Sequence, residues 1–287
     1  MSLSQRAAAR ESAAAGDPLA RLLALGRPLV MGILNVTPDS FSDGGRFIAP
    51  AEAVRRAQAM IAEGADILDI GAESTRPGAS PVAADDEWQR LAPVLASVVA
   101  LGTPVSIDTM KAEIAAKALA AGAAIVNDVW GLQRDPEMAR VVAEADVPIV
   151  VMHNRTAVDP AIDILADIEA FFRRSLAIAE NAGIRRERIV LDPGIGFGKN
   201  AEQSIAAIAN LDRLAAFGLP LLMGLSRKRF VASVSKSEAE QRLGGSLAGN
   251  VLAVKYGANI VRVHDVAETV QALRVAVAIE AVRRRDD

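Results

Sequence analysis

The chain has no cysteine, so disulfide cross-links, thiolate metal sites and a cysteine nucleophile are all excluded. Aromatic residues are scarce, with 7 Phe, 2 Trp and 1 Tyr among 287 residues. A core so poor in aromatics must be built from Ala, Val, Leu and Ile. That favours helices packed on a buried parallel sheet over an aromatic-rich sandwich. The sequence contains no run of 18 apolar residues, so no membrane span is expected, and the first 16 residues (MSLSQRAAARESAAAG) lack the apolar stretch of a secretory signal. Lys plus Arg total 32 against 35 Asp plus Glu, and a net charge of −3 argues against a surface that coats nucleic acid. The sequence therefore reads as a cytoplasmic protein that binds neither membrane nor nucleic acid. Apolar side chains, by contrast, are abundant. At 51% hydrophobic residues and a mean hydropathy of +0.24, disorder of the whole chain is excluded.

One theme recurs along the chain: a short β-branched apolar run, a polar loop, then an Ala-rich helical stretch. The apolar runs predict strands at 28–35, 66–70, 104–108, 124–127, 148–152, 188–192, 220–224 and 259–263. Helices are predicted near 50–63, 85–100, 111–121, 136–145, 163–182, 202–216, 238–256 and 266–284. Gly64, Gly122, Gly183, Gly218 and Gly257 fall where a left-handed cap would end a helix before the next strand. Eight such units predict an α/β protein with a single (β/α)8 TIM barrel over 17–287, preceded by a disordered tail through residue 16. The working face of such a barrel is the C-terminal end of its strands.

That rim is where the polar residues gather. Asn35, Asp108, Asn127, His153, Asp192, Ser226 with Lys228, and Arg262 with His264 all close predicted strands, and these two histidines are the only ones in the chain. Any one of them is explained equally well as a strand cap, but seven of eight strands ending this way suggest a polar funnel. NVTPDSFSDGG (35–45) suits a lid with Phe41 near its tip, and ESTRPGA (73–79) brings a hydroxyl and the planar donor fork of Arg76. Asp108, Asn127 and Asp192 could bind a divalent metal or read the donor-rich edge of a heterocycle, and the lack of a second metal-type ligand beside each favours the heterocycle. GIGFGK (194–199) fails both the Walker and the dinucleotide patterns and reads as a tight loop carrying Phe197 to the mouth. Ser226, Lys228, Arg262 and His264 have the chemistry of an anion pocket after strands seven and eight.

Taken in order, GILNVTPDSFSDGG, GAESTRPGA, SIDT, NDV, LDPGIGFGKN, GLSRK and RVHD resemble the signature of the bacterial dihydropteroate synthase family over about residues 28–284. The resemblance implies condensation of 6-hydroxymethyl-7,8-dihydropterin pyrophosphate with p-aminobenzoate to give dihydropteroate and pyrophosphate. It implies a pterin pocket of Asp108, Asn127, Asp192 and Lys228, with Asp108, Asp192 and Lys228 catalytic. It implies a pyrophosphate site of Asn35, Arg76, Arg262 and His264, with Asn35 also binding Mg²⁺. A p-aminobenzoate site of Phe41, Thr75, Pro77, Phe197, Ser226 and Lys228 is implied as well, together with sulfonamide competition there and a homodimer. His153, in MHNRTAVDP, is expected in the pocket wall. Two other readings are the pterin-binding barrel of corrinoid methyltransferases and a pterin-binding paralogue without turnover. The former would lack the lid and the SRK and RVHD cluster present here, and the latter would lack an anion or metal residue.

Overall fold

Strands that are apolar at nearly every position need cover on both faces, and a computed structural model, which describes residues 17–36, 50–73 and 81–283, provides it. The strands are β1 (Leu29–Asn35), β2 (Ile67–Gly71), β3 (Val105–Asp108), β4 (Ile125–Asp128), β5 (Ile149–Met152), β6 (Ile189–Asp192), β7 (Leu222–Met223) and β8 (Ile260–Val263). All pair in parallel in the order β6-β5-β4-β3-β2-β1-β8-β7, and a bridge between Leu191 and Leu221 joins the two ends of the sheet into a barrel. β7 is shorter than the sequence predicts. Pro220 has no N–H, and Leu221 gives its own to the Asn259 side chain at 2.9 Å, so regular pairing starts at Leu222.

The helices are α1 (Pro18–Leu23), α2 (Pro50–Glu63), α3 (Ala84–Val99), α4 (Ala112–Ala120), α5 (Met138–Ala145), α6 (Ile164–Ala182), α7 (Ala201–Ala209), α8 (Leu211–Ala215), α9 (Arg229–Val234), α10 (Leu243–Lys255) and α11 (Val266–Arg283). The predicted helix 202–216 divides at Asn210 into α7 and α8, and the predicted helix 238–256 begins with a separate 3-10 turn, Ala239–Gln241. The short helices α1 and α9 are not anticipated by the sequence pattern. All five anticipated glycines adopt positive φ. The expected tail 1–16 lies outside the described residues, as do Phe41, Thr75, Arg76 and Pro77.

The barrel interior is closed below by an apolar layer. Leu29, Met31, Ile67, Ile125, Val150, Val190, Leu222 and Ile260 cluster there with Leu19 of α1. Asp17 fastens that helix: its carboxylate accepts from Leu19 N and Ala20 N at 2.9 and 3.0 Å and pairs with the buried Arg188 at 2.5 Å. The functional rim therefore rests on a filled floor.

Candidate active site

Strand alternation lifts polar residues directly above that floor. Ile67, Ile125, Val190 and Ile260 lie in the inner cluster, and two residues further along come Asp69, Asn127, Asp192 and Arg262. Asp108 sits in register with Gly71 on one side and Asn127 on the other. A Cβ at Gly71 would come within 3.3 Å of Asp108 Cβ, so the bare glycine makes room for the acid.

Arg262 organises this layer. Its Nε donates to Asp69 Oδ2 at 2.5 Å and its Nη2 to Asp108 Oδ2 at 2.6 Å, while Asn127 Nδ2 donates to Asp69 Oδ2 at 3.1 Å. Burial lifts the Asp108 carboxyl to about 7, against the opposing pull of the Arg262 guanidinium. Burial alone would lower Arg262, but the Asp69 and Asp108 carboxylates hold it well above its ordinary value. Burial also raises Asp192, opposed first by Lys228 and then by the Gly194 N–H, which donates to Asp192 Oδ1 at 2.7 Å. Lys228 donates to the Ile195 carbonyl, lies 4.6 Å from the Phe197 ring centre, and is lowered by burial to about 8.

Among the described residues, four buried oxygens in and beside this layer have no hydrogen-bond partner: Asp69 Oδ1, Ser106 Oγ, Asp108 Oδ1 and Asn127 Oδ1. An unsatisfied buried acceptor costs about 1–3 kcal/mol, so a cluster of them marks a site built to receive donors. Beside this recess lies a second cleft lined by Asn35, Arg56, Arg227 and His264, in which Arg56 pairs with Glu63 at 2.9 Å. Ser226 Oγ lies 3.0 Å from His264 Nδ1, Arg56 Nη2 donates to the His264 carbonyl at 3.0 Å, and Arg227 pairs with Asp265 at 2.5 Å. The two compartments suit a ligand with a donor-rich heterocycle at one end and an anion at the other.

Comparison with known proteins matches this geometry. Residues 31–264 match the family model described as pterin binding enzyme. The dihydropteroate synthase of Bacillus subtilis is 46% identical over 257 residues, 89% of each chain. The Xanthomonas albilineans dihydropteroate synthase solved with 4-aminobenzoic acid superposes with a TM-score of 0.86 at 45% identity, covering 90% of this chain and 94% of that one. The same protein in complex with 7,8-dihydropteroate gives a TM-score of 0.83 at 43% identity, covering 90% and 95%. The chain belongs to the dihydropteroate synthase family of pterin-binding enzymes.

Of the residues the sequence singles out, Asp108, Asn127, Asp192, Lys228 and Arg262 share the recess through the contacts and mutual electrostatic effects above. Asn35 and His264 line the cleft. Arg262, expected beside the anion, gives N–H groups to the two carboxylates of the recess, and Ser226, expected beside p-aminobenzoate, turns its hydroxyl to His264. Sequence reasoning missed Asp69, Arg56 and Arg227. An acid inside an otherwise apolar strand was the available signal for Asp69, because a buried carboxylate needs a partner. Glu73 and Lys111 were missed too. Glu73 Oε1 accepts from Val82 N at 3.1 Å, and the Lys111 ammonium bridges Glu73 and the buried Glu87.

Proposed function

We propose that this chain condenses 6-hydroxymethyl-7,8-dihydropterin pyrophosphate with p-aminobenzoate, releasing 7,8-dihydropteroate and pyrophosphate. The observation that carries this reading is the set of unpartnered acceptors on Asp69, Asp108 and Asn127, which fits the N–H and amino groups along a pterin edge. Asp192 and Lys228 complete the pterin pocket. The pyrophosphate end extends to Asn35 and His264, with Arg76 and Arg262 as the guanidinium donors, and Arg56 and Arg227, each paired with an acid, add further guanidinium N–H groups to the same cleft. Phe41, Thr75, Pro77, Phe197, Ser226 and Lys228 shape the p-aminobenzoate site.

In this mechanism the C–O bond to pyrophosphate breaks first, and the bonding pair leaves with the anion. The Arg and His groups of the cleft stabilise that developing charge. The pterin methylene left behind is cationic, and the Asp108 carboxylate, in its ionised form, stabilises it. The arylamine nitrogen of p-aminobenzoate, held in line by its own site, forms the new C–N bond and then loses a proton to solvent. A covalent protein nucleophile is not needed.

Mg²⁺ belongs to this reading as a companion of the pyrophosphate. Among the described residues no cluster of three His, Asp or Glu side chains could hold a metal, and the acids beside the cleft that Asn35 lines are already engaged, Glu63 by Arg56 and Asp265 by Arg227. The Asn35 side chain therefore fits Mg²⁺ as one oxygen ligand of an ion carried mainly by phosphate oxygens and water. When bound, the ion neutralises charge on the leaving group.

A cytoplasmic location, where such a folate-building reaction draws its substrates, is part of the same proposal. So is a homodimer: Leu252 and Tyr256 at α10 remain exposed, as do Val275, Ile279 and Val282, which share one face of α11, and an apolar face of that kind supports pairing through the last two helices. No helix among the described residues is long and apolar enough to cross a membrane. The test of the function is formation of 7,8-dihydropteroate and pyrophosphate from the two substrates together. No dihydropteroate with both present would refute it.

A further inference from the structure

The GIGFGK loop has a built anchor that the chemistry above does not use. Gly194 and Gly198 lie at φ +63 and +56, and a Cβ at either would collide with backbone, the His153 carbonyl in one case and Arg155 in the other. The loop thus lies flat on segment 153–155. At its end the buried Lys199 turns back inward. Its Nζ contacts His153 Nδ1 at 2.6 Å, the Gly194 carbonyl at 2.9 Å and the Phe197 carbonyl at 3.1 Å. Three acceptors match the three N–H donors of an ammonium.

The far side of the imidazole sets its tautomer. His153 Nε2 lies 3.0 Å from Asp167 Oδ2 on α6, an oxygen that also accepts from Arg155 Nη1 at 2.8 Å. A carboxylate there requires an N–H on Nε2, which leaves Nδ1 as the acceptor facing Lys199. The charged groups acting on the pair are Asp167, Arg155, Asp192 and Lys228, and burial holds His153 neutral, down to about 3.

We propose that Lys199 is a positioning residue: through His153 and the two loop carbonyls it fixes Phe197 against the Lys228 ammonium, and so sets the p-aminobenzoate site. This rests on the function proposed above. The turn at Gly194 is held independently by Asp192, whereas Phe197 at the tip has its N–H on Gly194 O at 3.1 Å and its carbonyl on Lys199. Loss of Lys199 therefore releases the Phe197 end while the pterin end stays bound to β6.

Lys199→Met is expected to raise KM for p-aminobenzoate about tenfold and leave KM for the pterin pyrophosphate nearly unchanged. His153→Leu should do the same, and the double variant should be no worse than either single one. A merely structural role would lower kcat and shift both KM values together, and that outcome overturns the proposal. Where a variant fails to fold, the wild-type protein supplies a second measurement. With ¹⁵N-histidine labelling at about pH 6, His153 should report a neutral imidazole protonated on Nε2. An Nδ1–H tautomer, or a charged ring at that pH, also overturns it. If the wild type turns over no substrate while the tautomer is as stated, the assigned function fails and the Lys199 anchor stands.

Discussion

Arg262 and Asp108, 154 residues apart in the chain, meet across the barrel mouth at 2.6 Å between Nη2 and Oδ2. The same guanidinium holds Asp69, so one cation balances two buried acids. Arg262→Ala leaves both carboxylates buried without it, and breaking such an arrangement costs about 3–5 kcal/mol. Urea titration should show that loss together with weaker pterin pyrophosphate binding. Unchanged stability would contradict the pairing.

Lys228→Ala should abolish product formation, because the ammonium serves both the pterin and p-aminobenzoate compartments. Initial rates with each substrate varied in turn will check this, and near-normal turnover would remove Lys228 from the site.

The pH profile follows from two opposite shifts. Asp108 carries its charge above about 7 and Lys228 keeps its charge below about 8, so kcat/KM should fall on either side of a narrow maximum between them. A profile flat across that window would show that neither group matters to turnover.

Lys199 also carries a stability signature. Burial depresses it from 10.5 to about 7, so between those values the unfolded chain holds a proton that the folded chain does not. Its contribution to stability therefore rises with pH across that window, by up to about 1.4 kcal/mol per unit, and is lost as pH falls through 7. Urea midpoints for Lys199→Met should show a flatter rise than wild type; identical slopes would contradict this.

Asp17→Ala should destabilise the fold without touching the mouth. It removes a helix cap, worth about 1 kcal/mol, and one side of a buried pair with Arg188. Asp17→Asn retains the capping oxygen and should lose less, and equal losses would assign the effect to the ion pair alone.

The strands could be read from the sequence because each is a local apolar run, and the glycine caps marked where the helices end. The helices α1 and α9 could not, since six residues give too short a window for helical periodicity. The rim acids and Lys228 were legible by their place at strand ends. Asp69 was not: it sits within its strand, and its partner Arg262 is 193 residues away. His153 stood out as a histidine after a strand, but Lys199 did not, because its loop reads only as a carrier of Phe197. Their contact across 46 residues depends on how two loops pack.

The packed floor beneath the recess has a consequence for traffic. With Leu19 and the inner aliphatic layer filling the lower end, the described residues form a cup open at the upper rim. Under the proposed chemistry the pterin settles deepest, so it has to enter before the arylamine. The finished product, which spans both depths, has to leave by the path its precursors took.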